Sequence, residues 1–237
     1  MPIDHIVWDL DGTLVDSRED IACAVNFALT ELQCDPLPLD TIVSFIGDGV
    51  MALVERSVRA AGAPAGDLTG ALDLLEAHYE THLLEKTRFY PGIPELLADL
   101  VAAGVELSVL TNKKEAYSLA ILAGLGQSGS FVRVVGGDSG WGLKPAPHGL
   151  LAILEASGKP AHTTCMIGDS EVDMATAAAA GVAGLGAGWG FNSHAGLRAA
   201  GAAEVLRDPD ELIQLLGRSS SATDSTSSIS DAKVNSI

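Results

Sequence analysis

Positive charge is scarce in this 237-residue sequence: Lys and Arg total 14 against 31 Asp and Glu, a formal net charge of −17. A surface so acidic repels phosphate backbones and anionic lipid, which sets nucleic acid and membrane surfaces aside as partners. A small anionic ligand would need a local positive site, built from a metal ion, a lysine or helix N-termini. Cysteine is sparse too. Cys23, Cys34 and Cys165 show no C-x-x-C spacing, so the expectation is a reducing, cytoplasmic setting with all three as small buried hydrophobes. No stretch approaches the ~18–20 uncharged apolar residues of a membrane-crossing helix. Asp4 and Asp9 interrupt the region where a secretory leader would carry cations and an apolar run. There is no internal repeat.

What is present is an ordinary globular balance, 47% apolar and 19% charged residues. Apolar, β-rich runs occur at "HIVWDL", Val105–Asn112, Phe131–Gly137, Thr163–Asp169, Val182–Gly190 and Ala203–Leu206. From about residue 89 they alternate with helical patterns. One of these, "PELLADLVAAG", has proline near its start and glycine past its end. Such alternation predicts an α/β fold, a Rossmann-like, mostly parallel sheet with helices on both faces. The first strand is instead followed by helical patterns alone, up to roughly Lys86. The expectation is a core of residues 1–15 and 88–217, an inserted all-helical cap at 16–87, and a disordered Ser-rich tail at 218–237.

In open α/β sheets the ligand lies outside the carboxyl ends of the strands. The first strand ends in Asp9-Leu10-Asp11-Gly12-Thr13, and the second in Thr111-Asn112 followed by Lys113 and Lys114. Lys144 sits in "LKPAPHG" after the third, and the fourth ends in Gly168-Asp169-Ser170 with Asp173 a turn further on. Gathering Asp9, Asp11, Asp169 and Asp173 on one rim is prohibitive unless cations compensate. Lys144 supplies one charge, and a hard cation with oxygen ligands, Mg²⁺ for preference, would supply the rest. The other groups suit a phosphoryl group: Thr111 and Asn112 as donors, Lys144 as counter-charge. One aspartate beside the metal can attack phosphorus, while the other serves as general acid and base.

Together "DLDGTLVDS", "LTN", "KPAP" and "GDSEVD" resemble the four ordered motifs of the haloacid dehalogenase superfamily. The resemblance implies Asp9 as nucleophile and Mg²⁺ ligand. It implies Asp11 as acid and base and as a ligand through its carbonyl, with Asp169 a further ligand. Thr111, Asn112 and Lys144 would bind phosphate, and Asp173 would orient metal-bound water or Lys144. The helical insert is similar to a C1-type cap, which would exclude bulky substrates. Asp11 separates the chain from dehalogenases and phosphonatases, and Thr13 from the β-phosphoglucomutase branch. "FIGDGV", "TLVDS" and "TNK" are similar to the phosphoglycolate phosphatase group. The expected activity is therefore Mg²⁺-dependent hydrolysis of a small phosphomonoester, 2-phosphoglycolate first. Sugar phosphates, nucleotides, pyrophosphate, a mutase reaction or a non-catalytic phosphate-binding role are the alternatives. The partner would be a small phosphorylated metabolite, and the chain a monomer or homodimer. A carboxylate on that substrate would be met by a cap arginine, Arg56 or Arg59, or by Lys113.

Other features read as structural. His78 and His82, at i and i+4, do not complete an H-E-x-x-H motif and suit a solvated helix face. "GLGAGWG" lacks the G-x-G-x-x-G spacing and reads as a strand-to-loop passage. Cys165 falls inside a strand, and His148 at a helix start.

Overall fold

A computed structural model describes residues 3–62 and 68–216; the serine-rich tail expected at 218–237 lies outside the described residues. In chain order come β1 (His5–Trp8), β2 (Val15–Asp16), α1 (Arg18–Glu31), α2 (Leu39–Val43), α3 (Val50–Ala60), α4 (Leu68–Thr81) and β3 (Arg88–Phe89). Then follow α5 (Ile93–Ala102), β4 (Glu106–Leu110), α6 (Glu115–Gly124), β5 (Arg133–Val135), α7 (His148–Ser157) and β6 (Thr164–Gly168). The described part closes with α8 (Glu171–Ala179), β7 (Ala183–Ala187), α9 (His194–Ala199), β8 (Glu204–Leu206) and a helical turn over 210–216.

Six strands form one parallel sheet in the order β5-β4-β1-β6-β7-β8. The chain builds outward from β1 to β4 and β5, then returns to place β6, β7 and β8 on the other side. β1 is therefore the switch point, where the flanking connections diverge and leave a crevice at the carboxyl end. Successive strand side chains face opposite ways, and both faces are covered. Ile6 and Trp8 join the cluster that contains Leu96 and Leu97 of α5 and Ile121 of α6. Val7 packs instead with Leu150 and Ile153 of α7 and Ala177 of α8. The expected third strand shrinks to three residues, because β5 is an edge strand bonded only to β4.

Helices α1 to α4 lie between β2 and β3, and those two short strands pair antiparallel, Val15 with Phe89 and Asp16 with Arg88. Exit and return of the insert are thus clamped side by side. Asp20 of α1 strengthens the clamp: its carboxylate accepts from the Lys86 and Thr87 amides and from the Thr87 hydroxyl at 2.7–3.0 Å. Apolar packing runs without a break from insert to core, since Ile21, Leu53 and Leu75 belong to the same cluster as Ile6 and Trp8. Among the described residues, no helix is long and apolar enough to cross a membrane.

Candidate active site

The carboxyl end of β1 is held by its neighbours before any side chain acts. The Asp9 amide donates to Ile167 O of β6 at 2.8 Å. The chain then turns tightly, with the Leu14 and Val15 amides both donating to Leu10 O at 2.9 and 3.0 Å. Gly12 makes this turn at φ 83°, and a Cβ there would collide with the Asp169 carboxylate. The glycine is what lets the two acidic loops approach. Gly190 does the same from the third side, since a Cβ on it would meet Asp169 and Gly12 O. The glycine-rich passage after β7 therefore reaches the site, a role its lack of a dinucleotide spacing concealed.

Asp9, Asp169 and Asp173 converge so that one carboxylate oxygen of each lies within 4.8 Å of the others. Lys144 is the compensating charge, at 2.7 Å from Asp9 Oδ1 and 2.6 Å from Asp173 Oδ1. Asp173 divides its oxygens. Oδ1 holds Lys144, while Oδ2 accepts from the Ser170 amide (3.0 Å) and hydroxyl (2.6 Å) in a capping box at the start of α8. One side chain thus holds Lys144 and serves as a first-turn acid of α8. Asp169 Oδ2 accepts from the Phe191 amide at 2.7 Å.

One lysine does not balance this cluster. Burial, opposed by Lys144 and reinforced by Asp173, pushes Asp9 up to about 7. Burial and the charges of Asp173 and Asp9 likewise raise Asp169 well above the usual carboxylate range. Burial works against the Lys144 ammonium, but Asp173 and Asp9 outweigh it and hold that pKa above an ordinary lysine's. Hard oxygen donors short of positive charge are what a divalent cation of the Mg²⁺ type fits.

Asp11, two residues on, is not part of that trio. Its carboxylate accepts from Ser17 Oγ at 2.5 Å and from Lys113 Nζ at 2.9 and 3.0 Å. The pair Asp9 and Asp11 thus occupies two electrostatic environments, each with its own lysine. Burial opposes the Lys113 charge, yet Asp11 and Tyr79 outweigh it and raise the lysine's pKa.

At the end of β4, Thr111 Oγ1 accepts only weakly from the Lys113 amide (3.3 Å) and faces the cavity. Asn112 differs from expectation. Its Nδ2 donates to Gly47 O (2.9 Å) and Lys144 O (3.1 Å), and its Oδ1 accepts from the Lys144 amide (2.7 Å). Both amide hydrogens are taken by main-chain carbonyls, so this side chain ties the insert loop and the lysine loop together and has none left for a phosphate oxygen.

These groups floor a cavity that opens to solvent. Its other wall comes largely from the insert and is mostly apolar: Ile21, Ala24, Ile46, Val50, Leu53 and Leu75. The cap arginines turn elsewhere. Arg56 pairs with Asp48 at 2.5 Å and Arg59 with Glu55 at 2.6 Å, and neither lines the cavity. Ser17, Tyr79 and Phe191 join the site without having been singled out in the sequence. A signal existed only for Ser17, the last residue of "DLDGTLVDS".

The remaining candidates keep structural places. Of the three cysteines expected to be buried, only Cys165 is, in β6, where burial pushes its thiol up to about 12; Cys23 is exposed on α1 and Cys34 half-buried after it. His148 is exposed at the first position of α7, away from the cavity. The His78 and His82 rings stack on each other at 4.0 Å, and no described metal-ligand cluster includes them.

A phosphoglycolate phosphatase of Nitrosospira multiformis is 41% identical over 195 residues, covering 81% of this chain and 86% of that protein. One from Rhodospirillum rubrum is 37% identical over 218 residues, 90% of each. The crystal structure of a predicted phosphoglycolate phosphatase from Haemophilus somnus superposes with a TM-score of 0.86 at 27% identity, covering 90% of this chain and 97% of that one. The profile described as haloacid dehalogenase-like hydrolase matches residues 6–187, from the middle of β1 to the end of β7. That span contains every acid and lysine of the rim described above, and the chain belongs to the haloacid dehalogenase-like hydrolase family.

Proposed function

We propose that the protein is a cytoplasmic, Mg²⁺-dependent phosphomonoesterase whose substrate is 2-phosphoglycolate, the ester named in its relatives. The observation that carries the chemistry is the division of the paired aspartates. Asp9 faces Lys144 and Asp169, while Asp11 is drawn aside by Ser17 and Lys113. Two carboxylates in different surroundings are suited to two roles.

Asp9 and Asp169, with the Asp11 carbonyl, would hold Mg²⁺, which when bound neutralises the rim and the phosphoryl oxygens. Asp9 Oδ forms a bond to phosphorus as the bond to the ester oxygen breaks, and Asp11, carrying a proton taken up from solvent or kept from the previous turnover, delivers it to the departing alkoxide. Asp11, now a carboxylate, takes a proton from the water that attacks phosphorus. Asp9 leaves as carboxylate and inorganic phosphate is released. Lys144 holds Asp9 in place and offsets charge on the phosphoryl group, and Asp173 fixes Lys144. The Thr111 hydroxyl donates to a phosphoryl oxygen, and Asn112 positions the Lys144 loop.

The test is phosphate release from 2-phosphoglycolate, set against a panel of sugar phosphates, nucleotides and pyrophosphate. The expected outcome is the highest kcat/KM on 2-phosphoglycolate, lost with EDTA and restored by Mg²⁺. Free phosphate rather than an isomerised sugar phosphate separates hydrolysis from mutase chemistry. A panel in which another ester is preferred by an order of magnitude would reassign the substrate.

A further inference from the structure

Three cations line the cavity among the described residues, and they are not equivalent. Lys144 is enclosed between Asp9 and Asp173. Lys114 sits at the rim, a third exposed, paired with Glu76 of α4 at 2.6 Å. Lys113 lies between these extremes. Its side chain is 7% exposed, and its Nζ rests against Asp11 and 4.7 Å above the Tyr79 ring.

An ammonium has three hydrogens, and the Asp11 oxygens account for two. Beside it, the Tyr79 hydroxyl is buried and turned to the Lys113 ammonium, and its own hydrogen meets no acceptor among the described residues. A buried phenol O–H without an acceptor is costly, and at a cavity wall it marks a place for one. The ring is fixed from behind by the edge of Tyr117, at 5.6 Å and 79°. A phenol O–H without an acceptor is therefore held beside an ammonium, where the apolar insert wall meets the charged core wall.

We propose that Lys113 and Tyr79 form the subsite for an anionic group on the leaving alcohol, a carboxylate adjacent to the ester oxygen. This rests on the phosphomonoesterase reading, in which Asp11 serves the departing oxygen. In a 2-phosphoglycolate skeleton the carboxylate carbon is two bonds from that oxygen. The group that touches Asp11 is therefore the one that reaches the carboxylate. Arg56 and Arg59, the other candidates, are paired with Asp48 and Glu55 and do not line the cavity. An ester without the carboxylate would leave the Tyr79 hydroxyl without an acceptor, which is how a polar subsite rejects a smaller analogue. Because Tyr79 belongs to α4 and Lys113 follows β4, the subsite exists only when insert and core are docked.

The experiment compares 2-phosphoglycolate with ethyl phosphate, an ester of the same length without the carboxylate, in the full chain with Mg²⁺. Wild type should prefer 2-phosphoglycolate. Lys113→Met should raise its KM roughly 10- to 100-fold relative to that for ethyl phosphate, any loss of kcat from unpairing Asp11 being common to both esters. Tyr79→Phe should act in the same direction by about 10-fold or less, and Lys113→Arg should recover part of the loss. An equal loss on both esters, carried in kcat, overturns the subsite and leaves Lys113 only holding Asp11. A wild type that takes both esters equally overturns it as well. Calorimetric binding of the two esters to the Asp9→Asn variant separates this from failure of the hydrolase reading. Preference for 2-phosphoglycolate that vanishes on adding Lys113→Met supports the subsite whatever the turnover, and no preference refutes it.

Discussion

The two walls of the cavity are built on opposite plans. The core wall is a chain of charge contacts: Asp9, Lys144, Asp173 and Ser170 on one side, Ser17, Asp11 and Lys113 on the other. The insert wall offers Ile21, Ala24, Ile46, Val50, Leu53 and Leu75, and two of its arginines are paired outside. The core wall therefore deals with what every phosphomonoester shares. The insert wall excludes water and shapes the space for what differs between them. That division predicts that substitutions of Asp9, Lys144 and Asp173 act alike on all esters, while those of the insert, and of Lys113 where it meets Tyr79 of the insert, act by ester.

The largest effect should come from Asp9→Asn, with kcat falling by about 10⁴-fold or more on every ester tried. An amide is isosteric with the carboxylate, yet it cannot attack phosphorus. Residual phosphate release within a factor of ten of wild type, measured on purified protein, would remove the covalent step.

Next is Asp11→Asn, which should cost about 10²–10⁴-fold on esters of aliphatic alcohols. The loss should be much smaller on p-nitrophenyl phosphate, whose leaving group departs without a proton. This sharpens the comparison, because a core residue then discriminates by leaving-group basicity rather than by shape. Equal losses on both esters would mean that Asp11 supports the site's structure instead of moving a proton.

These two aspartates were legible in the sequence because they lie at a strand end, where local order alone fixes position. The same holds for Thr111 and Asp169, each next to a run with strand character, whereas Lys144 lies in the long loop after β5 and was marked by its "KPAP" setting. Asn112 was placed correctly in the chain, but its partners, Gly47 O and the Lys144 main chain, lie 65 and 32 residues away. No local pattern reports such a pairing. The link between β2 and β3 was hidden for a related reason. Two residues per strand are too few to show an alternation, and their pairing follows from the insert closing on itself. Lys113 was noticed as a neighbour of the site, whereas its contact with Asp11 spans 102 positions.

The joint between the walls supplies the third prediction. Asp20 is 3% exposed and accepts from three donors at the insert's return. Asp20→Ala leaves those donors facing a gap, at a cost of about 3 kcal/mol. For a chain of this size that lowers the melting temperature by about 6–12 °C. The phosphate-binding floor is untouched, so kcat measured well below the transition should change less than in either aspartate variant. A thermal shift under about 2 °C would show that the β2–β3 pairing alone holds the joint.

The smallest effect is expected at Arg59. Its guanidinium is paired with Glu55 one helical turn away, and both side chains are more than half exposed. Exposed pairs of this kind contribute little, so Arg59→Ala should change stability by under about 0.5 kcal/mol. If the insert meets substrate through its apolar face, kcat/KM for 2-phosphoglycolate should stay within about twofold as well. The measurement has a sharp alternative. A loss above about tenfold for 2-phosphoglycolate, absent for ethyl phosphate, would mean that α3 turns its charged face inward when the ester is bound. The insert wall would then carry charge during turnover, and the contrast with the core would hold only for the free protein.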